Sequence, residues 1–403
     1  MTVAQSLPPK FDARDPAVVA DPYPVYRELR EAGPLCRMGP ASFGVTRYAD
    51  VARLMRDPRL GSQFPADYHR MSAGEGAAGT FFSQIILYRD PPAHTRLRRL
   101  IGKAFSPSLI RRLRPDIEGM VDGLLAPAAE RGWFDAVADL AFPLPVMVVC
   151  ALMGIPESDY GLIRPYALDL SKAFAAIVPE ADRGPADEAV GWLREYLGGV
   201  LARRRADPGN DLLSLMLAAE DDGATLTREE IIDNAVFSFF AGFETSTNLI
   251  ATGCAALLDH PAQQGLLRAD PGLVPSAVEE FLRYDSPIQG MARMVNEPVE
   301  VGDRTVRAGR VLVLLLGSAN HDPAEFSDPE NLAVTRQPNR HLAFGGGAHT
   351  CLGAFLARTE AGVVFRTLAT RFASLEPAGP ALRQPGATLR AYAQVPITLK
   401  AAR

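Results

Sequence analysis

Residues 341–358, HLAFGGGAHTCLGAFLAR, place a cysteine between a glycine-rich turn and the first residues of a helical pattern. Because the turn has little side-chain bulk, it would let a flat group approach closely. A cysteine at this point is a buried small hydrophobe, a reactive thiol or a metal ligand. The other three cysteines, Cys36, Cys150 and Cys254, lie among apolar neighbours far apart in the chain, and we interpret them as packing residues.

The residues around Cys351 exclude two common sites. A redox CxxC motif is excluded because no second cysteine stands three residues away. A phosphate-binding loop is excluded because the stretch lacks Lys-Ser/Thr and has Thr350 where GxGxxG needs its third glycine. What remains is a thiolate at a helix N-terminus, where the helix dipole and backbone N–H groups are expected to lower the pKa of the thiol.

The composition is that of an ordinary globular protein. The 403 residues are 47% hydrophobic and 22% charged, and the net charge of -5 gives no reason to expect a nucleic-acid partner. The N-terminus shows no apolar signal-peptide core. The longest apolar run, 141–154, contains two prolines and is too short to span a bilayer. We therefore expect a cytoplasmic protein without membrane association.

Apolar residues recur at three-to-four spacing along most of the chain, which predicts helices. The predicted helices are 22–33, 48–57, 91–105, 108–132, 139–154, 157–177, 186–205, 210–220, 227–260, 273–284 and 352–372. Alternating patterns predict a smaller β-sheet region near 34–47, 291–316 and 388–399, and a long irregular stretch covers 317–350. Scattered prolines and the lack of a linker predict a single domain over 1–403, mainly α with a small β region.

The predicted helix 227–260 is apolar nearly all round, so we expect it to be buried, and at 1.5 Å per residue it is roughly 48 Å long. Thr227 and Glu230 form a capping box at its start. Its middle reads AGFETSTN and carries Glu244 and Thr245 beside a glycine. These residues form either a solvated face or a local break at which an acid and a hydroxyl relay protons or hold water.

Two further groups of charged residues allow two interpretations each. Glu280 and Arg283, in EFLR, are an i,i+3 pair of the kind that is usually structural. Together with Arg336, upstream of the cysteine loop, they would form a buried cluster that holds that loop in place. His94 and Arg98 lie four residues apart on one helical face, which is either a basic surface or a site for an anionic group.

Taken in chain order, these segments resemble the cytochrome P450 family, in its soluble bacterial branch. FGGGAHTCLG is similar to the haem-binding signature at every fixed position, AGFET to the oxygen-activation motif, and EFLR to the ExxR motif, which Arg336 completes. The resemblance covers nearly the whole chain, from DPYPVYRELREAGP through DPPAHTRLRRLIGKAFSP to SANHDPAEFSDPENL. Two positions depart from the family pattern: His321 stands where arginine is usual, and the turn at 305–309 lacks a common proline.

The resemblance implies the cytochrome P450 fold, a triangular helical prism that encloses haem b (iron protoporphyrin IX), with dioxygen as co-substrate. Cys351 would be the metal ligand, and Glu244 and Thr245 would be catalytic and deliver protons. The other cofactor-binding residues that it implies are His94, Arg98, Arg293, Phe344, Gly345, His349 and Gly353. The histidines and arginines of this set would contact the haem propionates, and Phe344 would shield the sulfur.

The resemblance also implies an apolar substrate pocket formed by the variable 62–88 loop, the 171–184 region and the middle of the long helix. The pocket residues that it implies are Phe82, Ile86, Phe240, Ala241, Ile288 and Gln289. They leave few polar groups to face a substrate, as is usual for such pockets.

The activity implied by the resemblance is that of a monooxygenase in secondary metabolism or antibiotic biosynthesis, which hydroxylates or epoxidises an apolar small molecule. Its two electrons would come from a ferredoxin and a ferredoxin reductase, docked on a monomer near Arg99, Lys103, Arg111 and Arg112. Two alternatives stay open. One is the same haem chemistry used for oxidative coupling, ring formation or desaturation without oxygen insertion. The other, a non-catalytic haem sensor, would have no need of a proton-delivering acid and hydroxyl.

Overall fold

The computed structural model describes residues 7–174, 178–221, 223–386 and 389–401. Most of this part of the chain is helical. Its sixteen α-helices are α1 (Pro16–Ala20), α2 (Tyr23–Ala32), α3 (Tyr48–Leu54), α4 (Ala66–Ala73), α5 (Ala77–Phe82), α6 (Ala93–Ala104), α7 (Pro107–Arg131), α8 (Pro143–Leu152), α9 (Tyr160–Ala173), α10 (Glu180–Ala206), α11 (Leu212–Ala218), α12 (Arg228–Asp259), α13 (Pro261–Ala269), α14 (Val274–Tyr284), α15 (Leu316–Ala319) and α16 (Ala354–Arg371). Short 3-10 helices cover Ile86–Tyr88, Glu157–Asp159, Pro271–Leu273 and Gly347–His349, and a π-helix covers Ala136–Ala141.

In the part of the chain that the structure describes, the strands are short and form five small sheets. Those in the described residues are β1 (Leu35–Arg37), β2 (Ser42–Val45), β3 (Leu60–Gly61), β4 (Trp133–Asp135), β5 (Glu220–Asp221), β6 (Ala224–Thr225), β7 (Met291–Val295), β8 (Val299–Val301), β9 (Arg304–Val306), β10 (Val311–Leu314), β11 (Phe372–Pro377), β12 (Leu382–Arg383), β13 (Tyr392–Gln394) and β14 (Pro396–Ala401). The largest sheet has the order β1-β2-β10-β7-β3, in which only β2 and β10 run parallel, with Ser42 opposite Val311. A second sheet has the order β11-β14-β4.

The long helix α12 lies at the centre of the hydrophobic core and packs against α8, α10 and α16. The predicted capping box is confirmed: the Glu230 amide donates to Thr227 Oγ1 at 3.1 Å, and the Thr227 amide donates to Glu230 Oε2 at 2.9 Å. The alternative of a local break near Glu244 is wrong, since the helix is continuous from end to end. The glycine there serves packing instead, because a Cβ on Gly242 would lie 2.6 Å from Val149 Cγ2 of α8.

All eleven predicted helices have a counterpart in the structure, with shifted bounds in several cases. The predicted helix 139–154 is divided into the π-helix and α8, which begins at Pro143, a favourable residue for the first helical turn. In the predicted helix 157–177, α9 ends at Ala173, and residues 175–177 lie outside the described residues.

Several elements were not predicted. The 62–88 segment is not a loop, because it contains α4 and α5. The long stretch 317–350 is irregular apart from the short α15 and one 3-10 helix. The predicted sheet region near 388–399 continues to Ala401 and pairs with β11 and β4, while residue 388 lies outside the described residues. In the described ranges, no helix is long and apolar enough to cross a membrane.

Candidate active site

The loop that precedes α16 presents Cys351 in a fixed backbone conformation. Gly345 and Gly347 both have φ +67°, a left-handed conformation that side-chain-bearing residues rarely adopt. Gly347 also passes close to the end of α3, where a Cβ would lie 2.6 Å from Met55 O. The loop closes on itself because the Cys351 amide donates to Phe344 O at 2.9 Å. These glycines therefore position the cysteine as well as leaving room beside it.

Cys351 is exposed, and the surface that it exposes lines a cavity beside α12. Burial among the surrounding atoms raises the pKa of its thiol, although the backbone N–H of Gly353, Arg98 and Arg358 favour the thiolate. The expected net lowering of this pKa is thus wrong for the protein alone, because removing water from an anion outweighs the helix N-terminus. A bound metal cation would reverse the balance, since a coordinating thiol is deprotonated.

The cavity has about 1380 Å³ of empty space, including its opening. The predicted site residues that line it are Ile86, His94, Arg98, Ala241, Thr245, Ile288, Phe344, Gly345, His349, Cys351 and Gly353. Residues far apart in the sequence, from α6, α12 and the cysteine loop, are therefore brought together around one space.

Three basic side chains, His94, Arg98 and His349, line one part of this cavity. Arg293 does not line it, but its charge acts on His349, so the four basic groups lie close together. The rings of His94 and His349 lie 4.0 Å apart, and His94 Nε2 is buried without a hydrogen-bond partner. Burial lowers the pKa of Arg98 and of Arg293. Burial, together with the charges of His94, Arg293 and Arg98, lowers the pKa of His349 to about 3.

Within the described residues, none of these four side chains forms a direct ion pair with a carboxylate, and the anion that acts on His94 and Arg293 from nearby is Asp90. Buried basic groups without anionic partners are unfavourable unless a ligand supplies the anions. A large flat ligand with two carboxylates and a metal for the sulfur fits this set of donors. Haem has these properties, so the residues present are compatible with it.

The helix α12 supplies one wall of the cavity. Ser238, Ala241, Gly242, Thr245, Ser246 and Leu249, spaced as one face of a helix, all line it. The Thr245 hydroxyl lies on this wall and donates to Ala241 O at 2.8 Å.

Glu244 does not line the cavity and instead faces α9. Ser171 Oγ donates to its Oε2 at 2.6 Å, and Asn248 Nδ2 donates to its Oε1 at 3.4 Å. Burial raises the pKa of Glu244, and these two hydrogen bonds oppose the shift. The acid is therefore adjacent to Thr245 in the sequence but faces a different side of α12.

Sequence reasoning missed Glu360 of α16, which is fully buried close to α12. Neither of its carboxylate oxygens accepts a hydrogen bond of regular geometry. Burial raises the pKa of Glu360 to about 8, and only the hydroxyl of Ser246 opposes that shift. The available signal was a single acid in the otherwise apolar run EAGVVF. A buried carboxyl one residue behind the cavity wall is able to hold a proton near neutral pH.

The predicted Glu–Arg–Arg cluster is present and has no solvent access at Glu280 and Arg283, which are each 0% exposed. Arg283 binds Glu280 with two hydrogen bonds of 2.7 and 2.8 Å, and Arg336 Nε donates to the same carboxylate at 3.0 Å. The other guanidinium donors bind carbonyl oxygens of Asn320, Ser327, Asp328, Pro329 and Asn331. The cluster thus fixes the irregular segment that leads to the cysteine loop.

A second series of contacts, not predicted from the sequence, reaches the cysteine loop itself. Arg358 of α16 binds Glu279 with two hydrogen bonds of 2.7 and 2.8 Å, and its guanidinium lies 4.4 Å from the centre of the Phe344 ring. His341 Nε2 lies 3.1 Å from the same carboxylate. Glu279 and Glu280 therefore face different segments, and together they hold both ends of the stretch before Cys351.

Three of the predicted pocket residues do not line the cavity. Phe82 and Phe240 pack instead against Phe174, at 5.0 and 3.5 Å between ring centres. Gln289 is buried, and its amide donates to Ser286 O at 2.8 Å. The two phenylalanines pack against a neighbouring aromatic ring and therefore do not contribute to the cavity surface. Of the predicted 171–184 region, residues 175–177 again lie outside the described residues.

Comparisons with a family model, with related sequences and with solved structures all point to the same family. A family model described as Cytochrome P450 matches residues 164–386. The chain is 38% identical to nocardicin C N-oxygenase of Nocardia uniformis subsp. tsuyamanensis, over 94% of this chain and 96% of that protein. It is also 38% identical to the cytochrome P450 monooxygenase PikC of Streptomyces venezuelae, over 87% and 84% of the two chains. Among solved structures, CalO2 superposes with a TM-score of 0.92 at 36% identity, covering 97% of this chain and 99% of that one.

Proposed function

The chain belongs to the cytochrome P450 family, and from that premise we propose that it hydroxylates or epoxidises an apolar small molecule of secondary metabolism. Family membership makes it an oxidoreductase of the monooxygenase type, which uses dioxygen and a haem iron held by a cysteine. We propose in addition that the haem is haem b and that the electrons come from a ferredoxin and its reductase. The protein would act as a cytoplasmic, single-domain monomer.

The observation that carries the proposal is that Cys351, Thr245 and three basic residues, His94, Arg98 and His349, line one cavity, with Arg293 close behind them. Cys351 would hold the iron, and His94, Arg98, Arg293 and His349 would bind the two carboxylates. The bound haem would supply dioxygen activation, which the cysteine sulfur promotes by donating electron density. Gly345 and Gly353 leave room for its face, and Phe344 would shield the sulfur.

The protein's own part in the reaction is to exclude water and to move protons. The apolar walls limit water around the substrate. The hydroxyl of Thr245 lies at the wall and would hold or pass a proton there. Because burial raises the pKa of Glu244, its carboxyl is suited to exchange protons between the α9 side of α12 and this wall.

We place the electron donor, a ferredoxin served by its reductase, on the exposed basic residues Arg99, Lys103, Arg111 and Arg112 of α6 and α7. Support comes from the position of α6, which packs on the cysteine loop, since a Cβ on Gly102 would lie 3.8 Å from Leu352 Cδ2. Reversing the four charges should slow reduction by the ferredoxin and leave substrate binding unchanged. An unchanged reduction rate would rule out this docking site.

The decisive experiment is the spectrum of the reduced carbon monoxide adduct, followed by product analysis under heavy dioxygen. We expect the spectrum of a thiolate-ligated haem, its loss in Cys351→His, and its retention in the control Cys150→Ala, since Cys150 is buried outside the cavity. A histidine-type spectrum in the unmodified protein would refute the assigned ligand. A product that carries no heavy oxygen would point to coupling or desaturation.

A further inference from the structure

We propose that Ser238 determines substrate specificity: the substrate is an uncharged apolar molecule with one hydrogen-bonding oxygen, held by Ser238, about two helical turns from the carbon that is oxidised. The inference deepens the proposed function and depends on it for the position of the oxidised carbon. It identifies the class of substrate from a hydroxyl of the described α12 wall that has no hydrogen-bond partner in the protein.

Three hydroxyl groups on the α12 wall face the cavity, and two of them are engaged. Thr245 donates to Ala241 O at 2.8 Å. Ser246 is buried, at 3% exposure, and lies beside Glu360, whose raised pKa its hydroxyl opposes. Ser238 is half-buried, lines the cavity and has no hydrogen-bond partner among the described residues. A further lining hydroxyl, on Thr350, donates to Gly347 O at 2.8 Å. Ser238 is therefore the hydroxyl of the described wall that is left to bind a ligand.

The position of Ser238 defines the distance between the bound oxygen of the substrate and the carbon that is oxidised. Ser238 precedes Thr245 by seven residues on the same face of α12, which corresponds to about 10 Å along a helix axis at 1.5 Å per residue. If oxygen is transferred beside Thr245, a substrate oxygen bound to Ser238 lies about that far from the reacting carbon. The distance is set by one continuous helix, so it does not depend on a flexible loop.

Away from the cysteine loop, the cavity that Ser238 lines is mostly apolar. Ile86, Phe237 and Ile288 line the cavity with it, and the charged lining residues all belong to the basic group beside the cysteine loop. One turn before Ser238, the Asn234 side chain accepts a hydrogen bond from the Ile86 amide at 2.8 Å and donates to Glu230 O at 2.8 Å. The Ile86 segment is thereby fixed to α12, and a charged ligand group here would be buried without a partner.

Binding of a rigid probe series to the holoenzyme tests this inference without turnover. The probes are biphenyl, 4-hydroxybiphenyl and biphenyl-4-carboxylate, and isothermal titration calorimetry measures their dissociation constants. A neutral hydrogen bond is expected to make 4-hydroxybiphenyl bind about three- to tenfold more tightly than biphenyl. The carboxylate should bind most weakly of the three, because its charge has no partner at this end of the cavity.

Ser238→Ala should reduce the ratio between the hydroxylated and plain probes to about one, with the affinity for biphenyl unchanged. Ser276→Ala is a matched control, since Ser276 is a helical serine with a buried, unpartnered hydroxyl that does not line the cavity. This control should keep the full ratio. Turnover should add oxygen to the ring remote from the hydroxyl, and Ser238→Ala should give a mixture of positions.

Three results would overturn the inference: equal binding of the two neutral probes, a ratio that survives Ser238→Ala, or tightest binding of the carboxylate. Failure of all three probes to bind would also refute it. A protein with the thiolate-type carbon monoxide spectrum and equal probe binding would refute the role of Ser238 alone. The expected binding ratio in a protein without that spectrum would instead refute the proposed function.

Discussion

Two glutamates of this chain, Glu280 and Glu360, are equally inaccessible at 0% exposure, yet their surroundings differ completely. Glu280 accepts hydrogen bonds from Arg283, Arg336, the Ala333 amide and the Asn339 side chain. Glu360 accepts none of regular geometry, and burial raises its pKa to about 8. One carboxylate is held in a saturated network, and the other keeps a proton that it is able to release.

The difference distinguishes a carboxylate that fixes the structure from a carboxyl group that is able to exchange a proton. A saturated ionic network has one arrangement and fixes the backbone around it, here the segment that leads to the cysteine. A buried acid with few partners can change its protonation state without breaking such a network. The first kind of site lies beside the cysteine loop, and the second lies behind the α12 wall, near Thr245 and Ser246.

The largest effect is expected for Glu280→Gln. This change leaves two buried guanidinium groups without their anion, and breaking a buried pair in this way costs about 3–5 kcal/mol of unfolding free energy. Urea unfolding of the holoenzyme measures the loss. A loss below about 1 kcal/mol would show that the network does not act as the scaffold.

Glu360→Gln should have a smaller effect that depends on pH. Folded Glu360 keeps its proton up to about pH 8, whereas the unfolded chain releases it near 4.5, so the folded state binds more protons between these values. The unfolding free energy of the wild type should therefore fall as pH rises from about 5 to about 8, by on the order of 2–4 kcal/mol. The variant should lack this slope, and an unchanged slope would contradict the proposed state of Glu360.

Ser171→Ala tests the other acid of the α12 region. It removes the hydroxyl that donates to Glu244 at 2.6 Å, so the pKa of Glu244 should rise further. We expect the pH profile of product formation to move upward by about one unit. The profile of Ser276→Ala should stay in place, and a common shift in both variants would argue against a specific role for Ser171.

The smallest effect is expected for Glu279→Gln, the neighbour of Glu280. Burial raises the pKa of Glu279, but hydrogen bonds from Arg358 and His341 outweigh it and hold the pKa at about 2. The stabilisation is present above about pH 4.5 and is lost as pH falls towards 2. Because the carboxylate is 27% accessible, we expect a loss of about 1 kcal/mol at pH 7, measured by urea unfolding. A loss as large as that of Glu280→Gln would show that Glu279 and Glu280 contribute equally to the unfolding free energy.

The sequence predicted what depends on local pattern. The long helices follow from apolar periodicity, the capping box at Thr227 from a threonine and a glutamate three positions apart, and the cysteine loop from its glycines. Local pattern does not reveal long-range partners. It gave no sign that Glu244 faces Ser171, that Arg358 lies over Phe344, or that Phe240 stacks on Phe174.

Two errors share a physical cause, which is that tertiary packing overrides local preference. Glycine in the middle of α12 costs about 1 kcal/mol of helix propensity, which suggested a break. A Cβ at this position would crowd Val149 of α8, so close packing favours the same glycine in an unbroken helix. Likewise, a helix N-terminus lowers a thiol pKa in isolation, but the atoms packed around Cys351 reverse the sign.

The four basic side chains around the cavity also have a consequence for how the cell makes this protein. Folding without the porphyrin must remove water from the guanidinium groups of Arg98 and Arg293 and keeps His349 neutral, with its pKa lowered to about 3, until porphyrin carboxylates supply the anions. Porphyrin binding and folding are then coupled, because a ligand that binds only the folded state shifts the folding equilibrium towards it. The abundance of the protein should follow porphyrin supply, because proteases degrade incompletely folded chains that have not bound porphyrin.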